Sequence, residues 1–198
     1  MTTPTDPPPP VGRAPRKDAL RNDQIVVAAA RAVLAEQGPH ASMEAIASRA
    51  GLGMGSIYRR FPTKEALLDA IAQLFAVELD DAAERALQNP DPGFGLEEFL
   101  EFVGVTTADS HRYAAALVDR VSDEVTARTA ERVRRLTEHA VSRGALAPFV
   151  TAEDIKTLIV ALRHVIAVDP DGGNPGWRRF LRIHLTGLRI EPWPPEPA

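Results

Sequence analysis

Apolar residues recur along this 198-residue chain at the three- and four-residue spacing of amphipathic helices, and no strand-like alternation of apolar and polar residues stands out. The clearest series lies in the last predicted helix, over residues 175–189, where apolar positions follow i, i+3, i+4 and i+7. The pattern predicts an all-α fold of about nine helices, over residues 23–37, 42–51, 54–61, 64–88, 96–108, 111–121, 123–143, 152–168 and 175–189.

Capping and helix-breaking residues give these predicted helices their ends. Asn22 or Asp23 can cap the first helix, and a Gly-Pro pair stops it. Ser42 caps the second helix, and Thr63 caps the long fourth helix. The segment NPDPGFG at residues 89–95 is read as a breaker between the first four helices and the remaining five.

Three residues between positions 42 and 68 have the spacing of a helix-turn-helix. Ala47 lies four positions before Gly51, and Ile57 lies six positions after it. The small side chain lets two helices cross closely, the glycine can adopt the left-handed turn, and the isoleucine anchors the second helix on the first. That second helix carries groups suited to DNA phosphates and base edges: Ser56, Tyr58, Arg59 and Arg60.

The charge distribution changes along the chain in a way that fits DNA binding at one end. Residues 1–64 contain nine Lys or Arg against five Asp or Glu, whereas residues 65–198 contain fourteen against twenty-two. The net charge of −4 is therefore the sum of a basic first part and an acidic second part. A chance fluctuation is the alternative explanation at this chain length.

Composition excludes several classes of protein. The chain contains no cysteine, which rules out disulfides and thiolate metal sites. No uninterrupted apolar run approaches the ~20 residues of a membrane span, and the N-terminus lacks a signal-peptide core. We therefore expect a cytoplasmic protein.

Both chain ends are rich in proline. Residues 1–20 are expected to form a disordered basic arm, which either enters a minor groove beside the recognition helix or stays solvated without contacts. Residues 191–198, EPWPPEPA, cannot continue a helix and form a Pro-rich tail.

The stretch IASRAGLGMGSIYRRFPTKEALL, with a helix before it and a long helix after it, resembles the TetR family of transcriptional repressors. The likeness is specific over about residues 20–80. It implies a DNA-binding domain over residues 21–80 and a C-terminal ligand-binding and dimerisation domain over residues 81–190. It further implies a homodimer on a palindromic operator, an unidentified small-molecule effector, and no bound cofactor.

Carried over by position, the resemblance assigns phosphate contacts to Ser56, Tyr58, Arg60 and Lys64. It places Met54, Gly55 and Arg59 closest to the bases, and Ser42 and Gly53 complete the candidate DNA-binding set. The family usually has a capping Ser or Thr where this chain has Gly53, a polar or basic residue at Met54, and Tyr or His at Arg60. These departures affect the operator sequence that we expect the protein to bind, and not the mode of binding.

Physical arguments leave alternatives open for five of these residues. Tyr58 is either a phosphate contact or a half-buried packing residue. Lys64 lies in the first turn of a helix, where a cation opposes the macrodipole unless a phosphate docks there; otherwise it is a solvated lysine. Gly55 either lets DNA approach the backbone or only loosens the first turn. Arg59 and Arg60 point about 100° apart, so one can enter the groove while the other meets a phosphate.

The family's last two helices usually build a four-helix dimer interface, and periodicity selects the candidate residues here: Leu158, Leu162, Val165, Trp177, Phe180, Leu181, His184, Leu185 and Leu188. An effector pocket is expected between C-terminal helices, lined by Phe99, Phe102, Val103, Thr106, His111, Tyr113, Leu117 and Arg120. For each pocket residue the alternative is ordinary core packing or a solvated ion pair.

The sequence therefore predicts a ligand-responsive repressor. The five histidines do not have i, i+4 metal-binding spacing, so no metal site is expected. An all-α enzyme is disfavoured because no nucleophile and base, paired carboxylates or metal cluster appears at a telling spacing. The other alternative is a helical ligand-binding or interaction module that does not bind DNA.

Overall fold

The computed structural model describes residues 15–117, 120–168 and 176–189, with side chains from residue 23 onward. This part of the chain is all-α and contains no strand. Its helices are α1 (Pro15–Gln37), α2 (Met43–Ala50), α3 (Met54–Arg60), α4 (Lys64–Leu87), α5 (Pro92–Ser110), α6 (Asp123–Ser142), α7 (Ala152–Ala167) and α8 (Gly176–Leu188), with short 3-10 helices at Gly38–His40 and Ala114–Leu117.

Eight α-helices therefore occupy the described residues where the sequence pattern predicted about nine. The difference is the predicted helix over 111–121, which is a 3-10 turn at Ala114–Leu117. Tyr113 explains it, because its side chain is inserted into the core formed by the N-terminal helices. That tertiary contact outweighs the weak helical pattern of the segment.

Two helices begin earlier than predicted, each at a proline. Helix α1 begins at Pro15 rather than at residue 23, so residues 15–20 are helical and not part of an arm. Helix α5 begins at Pro92, inside the predicted breaker, where the Asp91 side chain accepts a hydrogen bond from the Phe94 N–H at 3.0 Å. Proline suits the first helical turn, where its missing N–H would have no partner. The predicted structures of residues 1–14, 169–175 and 190–198 lie outside the described residues.

Gly95 belongs to the segment predicted to break the helices, yet it lies inside α5, where it packs against α4. A Cβ there would lie 2.4 Å from the carbonyl oxygen of Ala86 on α4. The absence of a side chain therefore lets α5 cross α4 closely, which the helical propensity of glycine alone would not favour.

Helix α4 contributes to two hydrophobic clusters. Its first half, including Leu67 and Ile71, packs with α1, α2 and α3 around Ile46 and Ile57. Its second half, including Ala83, packs with α5 to α8. A rigid helix shared by two cores gives a mechanical link between them.

Ion pairs reinforce the C-terminal cluster at its edges. Arg132 on α6 pairs with Asp80 at 2.5 Å and with Glu84, both on α4. Helix α8 is held to α5 by Arg178–Glu101 at 2.6 Å and by a second arginine pair near its other end. The two exposed pairs between α8 and α5 each contribute little to stability.

Candidate nucleic-acid interface

The turn between α2 and α3 has the geometry that the sequence predicts. Gly51 has φ 65°, in the left-handed region, and ends α2. The Leu52 N–H donates to the Ala47 carbonyl at 3.1 Å, which closes the helix end. Ala47 and Ile57 are 4% and 0% exposed, so the close crossing and the anchor are both present.

Caps define where the flanking helices begin. The Ser42 Oγ accepts a hydrogen bond from the Ala45 N–H at 3.1 Å, and the Thr63 Oγ1 accepts one from Ala66 at the same distance. Gly53 is the N-cap of α3 in an extended conformation, and no side chain caps this helix. The backbone alone starts α3, with the Ser56 N–H donating to the Gly53 carbonyl at 2.9 Å.

One face of α3 is open to solvent. Its exposed residues are Gly53, Gly55, Ser56, Tyr58, Arg59 and Arg60. A Cβ added at Gly55 would meet no atom within 4 Å, so the backbone itself is accessible there. Met54 is half-buried and leans on the N-terminal core, so part of its side chain is used for packing.

The two adjacent arginines of α3 have different partners. Among the residues that the structure describes, Arg59 has a single long hydrogen bond of 3.4 Å, to the Ser56 Oγ on its own helix. Arg60 pairs with Asp23 on α1 through Nε and Nη2, with the Nε–Oδ1 distance 2.5 Å. The Asp23 carboxylate raises the pKa of Arg60 above its ordinary value. The larger cause is the hydrogen bonding, and the smaller is the attraction between the two charges. The distinction between these neighbours depends on tertiary structure, because Asp23 is distant in sequence.

Lys64 has a role that neither sequence interpretation included. Its Nζ donates to the carbonyl oxygens of Pro39 at 2.5 Å and of Ala41 at 2.7 Å. The ammonium thus satisfies carbonyls around the end of the 3-10 helix and ties the start of α4 to the entry of α2. Two of its three N–H donors are used in this way, which leaves one for a phosphate.

The helix-turn-helix coincides with a known family. The model for bacterial regulatory proteins of the tetR family matches residues 26–71, which include α2, the glycine turn and α3. Over the matched residues the chain has the DNA-binding domain of the TetR family. This domain is that of a DNA-binding transcriptional regulator.

Solved TetR-family structures extend the likeness to the whole fold. A TetR regulatory protein from Mycobacterium vanbaalenii is 29% identical with a TM-score of 0.68, covering 88% of this chain and 99% of its own. A regulator from Streptomyces coelicolor is 24% identical with a TM-score of 0.70, covering 86% and 99%. One from Pectobacterium atrosepticum is 22% identical with a TM-score of 0.60, covering 90% and 99%, and these last two show the fold alone. No curated protein matches the chain.

The structure does not bring the expected effector residues together. Phe99 and Val103 are buried in the C-terminal cluster, whereas Tyr113 and Leu117 pack against the N-terminal cluster. Arg120 pairs with Asp69 on α4 at 2.5 Å. Phe102, Thr106 and His111 are half-buried, and the His111 ring bonds to the Ala108 carbonyl of its own helix.

A cleft of about 480 Å³ does lie between α4 and α5. Of the expected pocket residues it contains only Phe99, and its other lining residues are Ala82, Arg85, Ala86, Phe94, Glu97, Glu98 and Glu101. Its glutamates are already paired, for example Glu98 with the Asn89 side chain at 2.9 Å. The residues expected to line one effector pocket are therefore divided between the N-terminal and C-terminal clusters.

The residues expected at the dimer interface differ in their exposure within the single chain. Five of its residues, each at most 6% exposed, already pack inside the single chain: Leu158, Leu162, Trp177, Leu181 and Leu185. Val165, Phe180 and Leu188 are half-buried, and His184 is exposed with its ring 4.0 Å from that of Phe180. The large apolar residues that α7 and α8 leave exposed are Val160 and Ile183, at 62% and 58%. The apolar series at helical spacing in α8 corresponds to the face that packs inside the chain, because an amphipathic helix buries its apolar face against its own domain.

The segment after α5 docks on the DNA-binding part. We call residues 111–117 together with Arg120 the connector. Tyr113 is 2% exposed and its ring stacks on Phe75 at 6.4 Å. Arg112 donates to the Glu36 carbonyl of α1 at 2.8 Å. The connector is therefore a second link, beside α4, between the two clusters.

Other classes of site have little support in the described part of the chain. No group of three or more His, Asp or Glu side chains is arranged there to hold a metal ion. None of the helices described has the length and apolar content needed to cross a membrane.

Proposed function

We propose that this protein is a ligand-responsive repressor that binds a palindromic operator as a homodimer in the cytoplasm. The observation that carries the proposal is the open face of α3, where an accessible backbone at Gly55 lies beside Ser56, Tyr58 and Arg59. A helix with small residues at its start and cations at its end can approach the major groove closely.

The contacts follow from what each side chain is free to do. Arg59 has no carboxylate partner among the described residues, so its charge is not balanced by an ion pair and its remaining donors are available to a base edge. Ser56 and the 43% exposed Tyr58 carry hydroxyl groups suited to phosphates. Lys64 retains one N–H donor at the start of α4, where free backbone N–H groups also favour an anion.

A homodimer is favoured by the apolar residues that α7 and α8 expose. Val160 and Ile183 are exposed on two helices whose inner faces are already packed in the C-terminal cluster. Covering such residues with the same surface of a second copy gives two-fold symmetry. Two recognition helices would then meet half-sites about one DNA turn, ~34–36 Å, apart.

Ligand response requires that an effector favour one of two arrangements of the recognition helices. Helix α4 and the connector are the two routes by which a change in the C-terminal cluster would reach α3.

A gel-shift titration with duplexes from the region upstream of the chain's own gene tests the DNA-binding part. We expect a retarded complex that weakens at least ~10-fold in Arg59→Ala, the scale of a lost base contact of ~1–3 kcal/mol. Arg143→Ala is the matched control, since Arg143 is an exposed arginine at the end of α6. Equal affinities for the two variants would contradict the assignment, and no retardation by the wild type at low salt would overturn the proposed function.

A further inference from the structure

The pair between Asp23 and Arg60 joins the outer surface of α1 to the last turn of the recognition helix. Both carboxylate oxygens accept hydrogen bonds, one from Nε at 2.5 Å and one from Nη2. The two side chains are 22% and 50% exposed, so the pair lies at the surface, beside the open face of α3. This two-point geometry is also how a guanidinium holds a phosphate.

The pair therefore occupies an arginine that the recognition helix would otherwise present to DNA. Two of the five guanidinium N–H donors are used, and the positive charge is balanced by the carboxylate. Arg59, the preceding residue, has no such partner among the described side chains. Of these two neighbouring cations, Arg59 is therefore free to contact DNA, whereas Arg60 is held by a carboxylate.

We propose that Asp23 is a specificity-determining residue that withholds Arg60 from DNA phosphates until an operator phosphate displaces its carboxylate. The inference rests on the proposed DNA-binding function and deepens it. Asp23 does not touch DNA in this account. It acts through Arg60 and is a positioning residue.

The physical basis is that a phosphate of arbitrary DNA has no fixed position relative to Arg60, whereas a phosphate of a bound operator does. Binding to arbitrary DNA depends on charge, and each neutralised phosphate contributes to the salt dependence of affinity. A phosphate at no fixed distance competes poorly with a carboxylate that holds two N–H groups at once. On an operator, base contacts fix the register, so that one phosphate is held near Arg60 and the exchange can occur.

The Asp23 carboxylate therefore lowers the affinity of the protein for random DNA more than it lowers the affinity for the operator. Without it, Arg60 would pair with any phosphate, and the advantage of the operator would shrink. The size of the effect is set by an exposed ion pair, which corresponds to a change of roughly two- to fivefold in affinity.

The test is a salt titration of the full-length chain and the Asp23→Asn variant. The probes are the duplex selected by the upstream gel-shift and a scrambled duplex of the same length and composition. We expect Asp23→Asn to bind the scrambled duplex roughly two- to fivefold more tightly, with its log–log salt slope steeper by about 0.9. Operator affinity should rise less and its slope should stay the same, so the specificity ratio falls.

Glu97→Gln is the matched control. It removes one carboxylate from another interhelical arginine pair, Arg189–Glu97 at 3.0 Å, which lies in the C-terminal cluster between α8 and α5. The change in net charge equals that of Asp23→Asn, so a general charge effect would appear in both variants. We expect the specificity ratio of Glu97→Gln to equal that of the wild type.

An independent variant covers the case in which Asp23→Asn fails to fold. Arg60→Gln should lower the operator salt slope by about 0.9 and leave the slope on scrambled DNA unchanged. An unchanged specificity ratio in Asp23→Asn, or equal slope losses on both duplexes in Arg60→Gln, would overturn the role of Asp23. A parallel loss of affinity for both duplexes with a lower Tm in Asp23→Asn would show a purely structural pair and overturn it as well. A wild-type chain that binds neither duplex overturns the proposed function itself.

Discussion

The indole of Trp177 on α8 lies directly against the backbone of Gly104 on α5. A Cβ at residue 104 would lie 2.2 Å from the indole Cζ3, closer than two such atoms can approach. Helix α8 is therefore seated on α5 by one aromatic ring that fits only because the facing residue has no side chain. Both residues are buried, and Trp177 belongs to the C-terminal cluster.

Gly104→Ala should destabilise the chain by about 1–3 kcal/mol, the usual cost of forcing extra volume into a packed core. Urea unfolding followed by far-UV circular dichroism measures it. Gly187→Ala is the control, because a Cβ at that α8 position meets no atom within 4 Å. There we expect no loss, or a gain of up to ~1 kcal/mol. Equal stability of the two variants would contradict the described seating of Trp177.

Lys64→Met should lower the free energy of unfolding by about 1–2 kcal/mol, since two carbonyls lose a charged donor while the apolar stem is kept. Lys156→Met is the control, because that lysine on α7 is 64% exposed and its ion pair in the described structure is with neighbouring Glu153. Thermal unfolding separates the two. A Lys64→Met variant with wild-type stability and weaker DNA binding would instead identify a pure phosphate contact.

Tyr113→Ala should remove about 3–5 kcal/mol, as expected when a fully buried aromatic side chain is truncated. Because Tyr113 belongs to the connector yet packs in the N-terminal cluster, we also expect unfolding to lose cooperativity between the two clusters. Coincident fluorescence and circular-dichroism transitions would contradict this. Tyr113→Phe keeps the ring against Phe75 and should cost less than ~1.5 kcal/mol.

The same tyrosine predicts a pH dependence at alkaline pH. Burial raises the pKa of the Tyr113 hydroxyl above its ordinary value. The unfolded chain then ionises first, so the stabilising effect of the neutral phenol is complete below pH ~10 and is lost as pH rises further. Stability measured between pH 9 and 11 should fall more steeply for the wild type than for Tyr113→Phe, and identical profiles would contradict the shift.

Ile183→Glu and Val160→Glu should dissociate the proposed dimer, since each would place an unpaired carboxylate in an apolar contact. Sedimentation velocity should show a monomer, and affinity for a palindromic duplex should fall at least ~10-fold. Val77→Glu, at a 51% exposed position on α4, should leave the mass and the affinity unchanged. A wild-type monomer would overturn the dimer proposal.

The sequence by itself determined the features that depend on local periodicity and capping. The all-α class, the left-handed turn at Gly51, the buried Ile57 anchor and the Thr63 cap of α4 were all predictable. Each of these is set by residues within about one or two helical turns, where spacing and backbone preference act directly. The recognised family motif lies in this local part of the chain.

Tertiary structure alone decided which partner each side chain finds. Periodicity separates an apolar face from a polar one, but it does not distinguish a core of the same chain from a partner's surface, so Trp177 was assigned to an interface. Likewise, sequence could not pair Asp23 with Arg60, Lys64 with two carbonyls, or Tyr113 with the N-terminal core. These contacts join residues far apart in the chain, and only the packing of the helices brings them together.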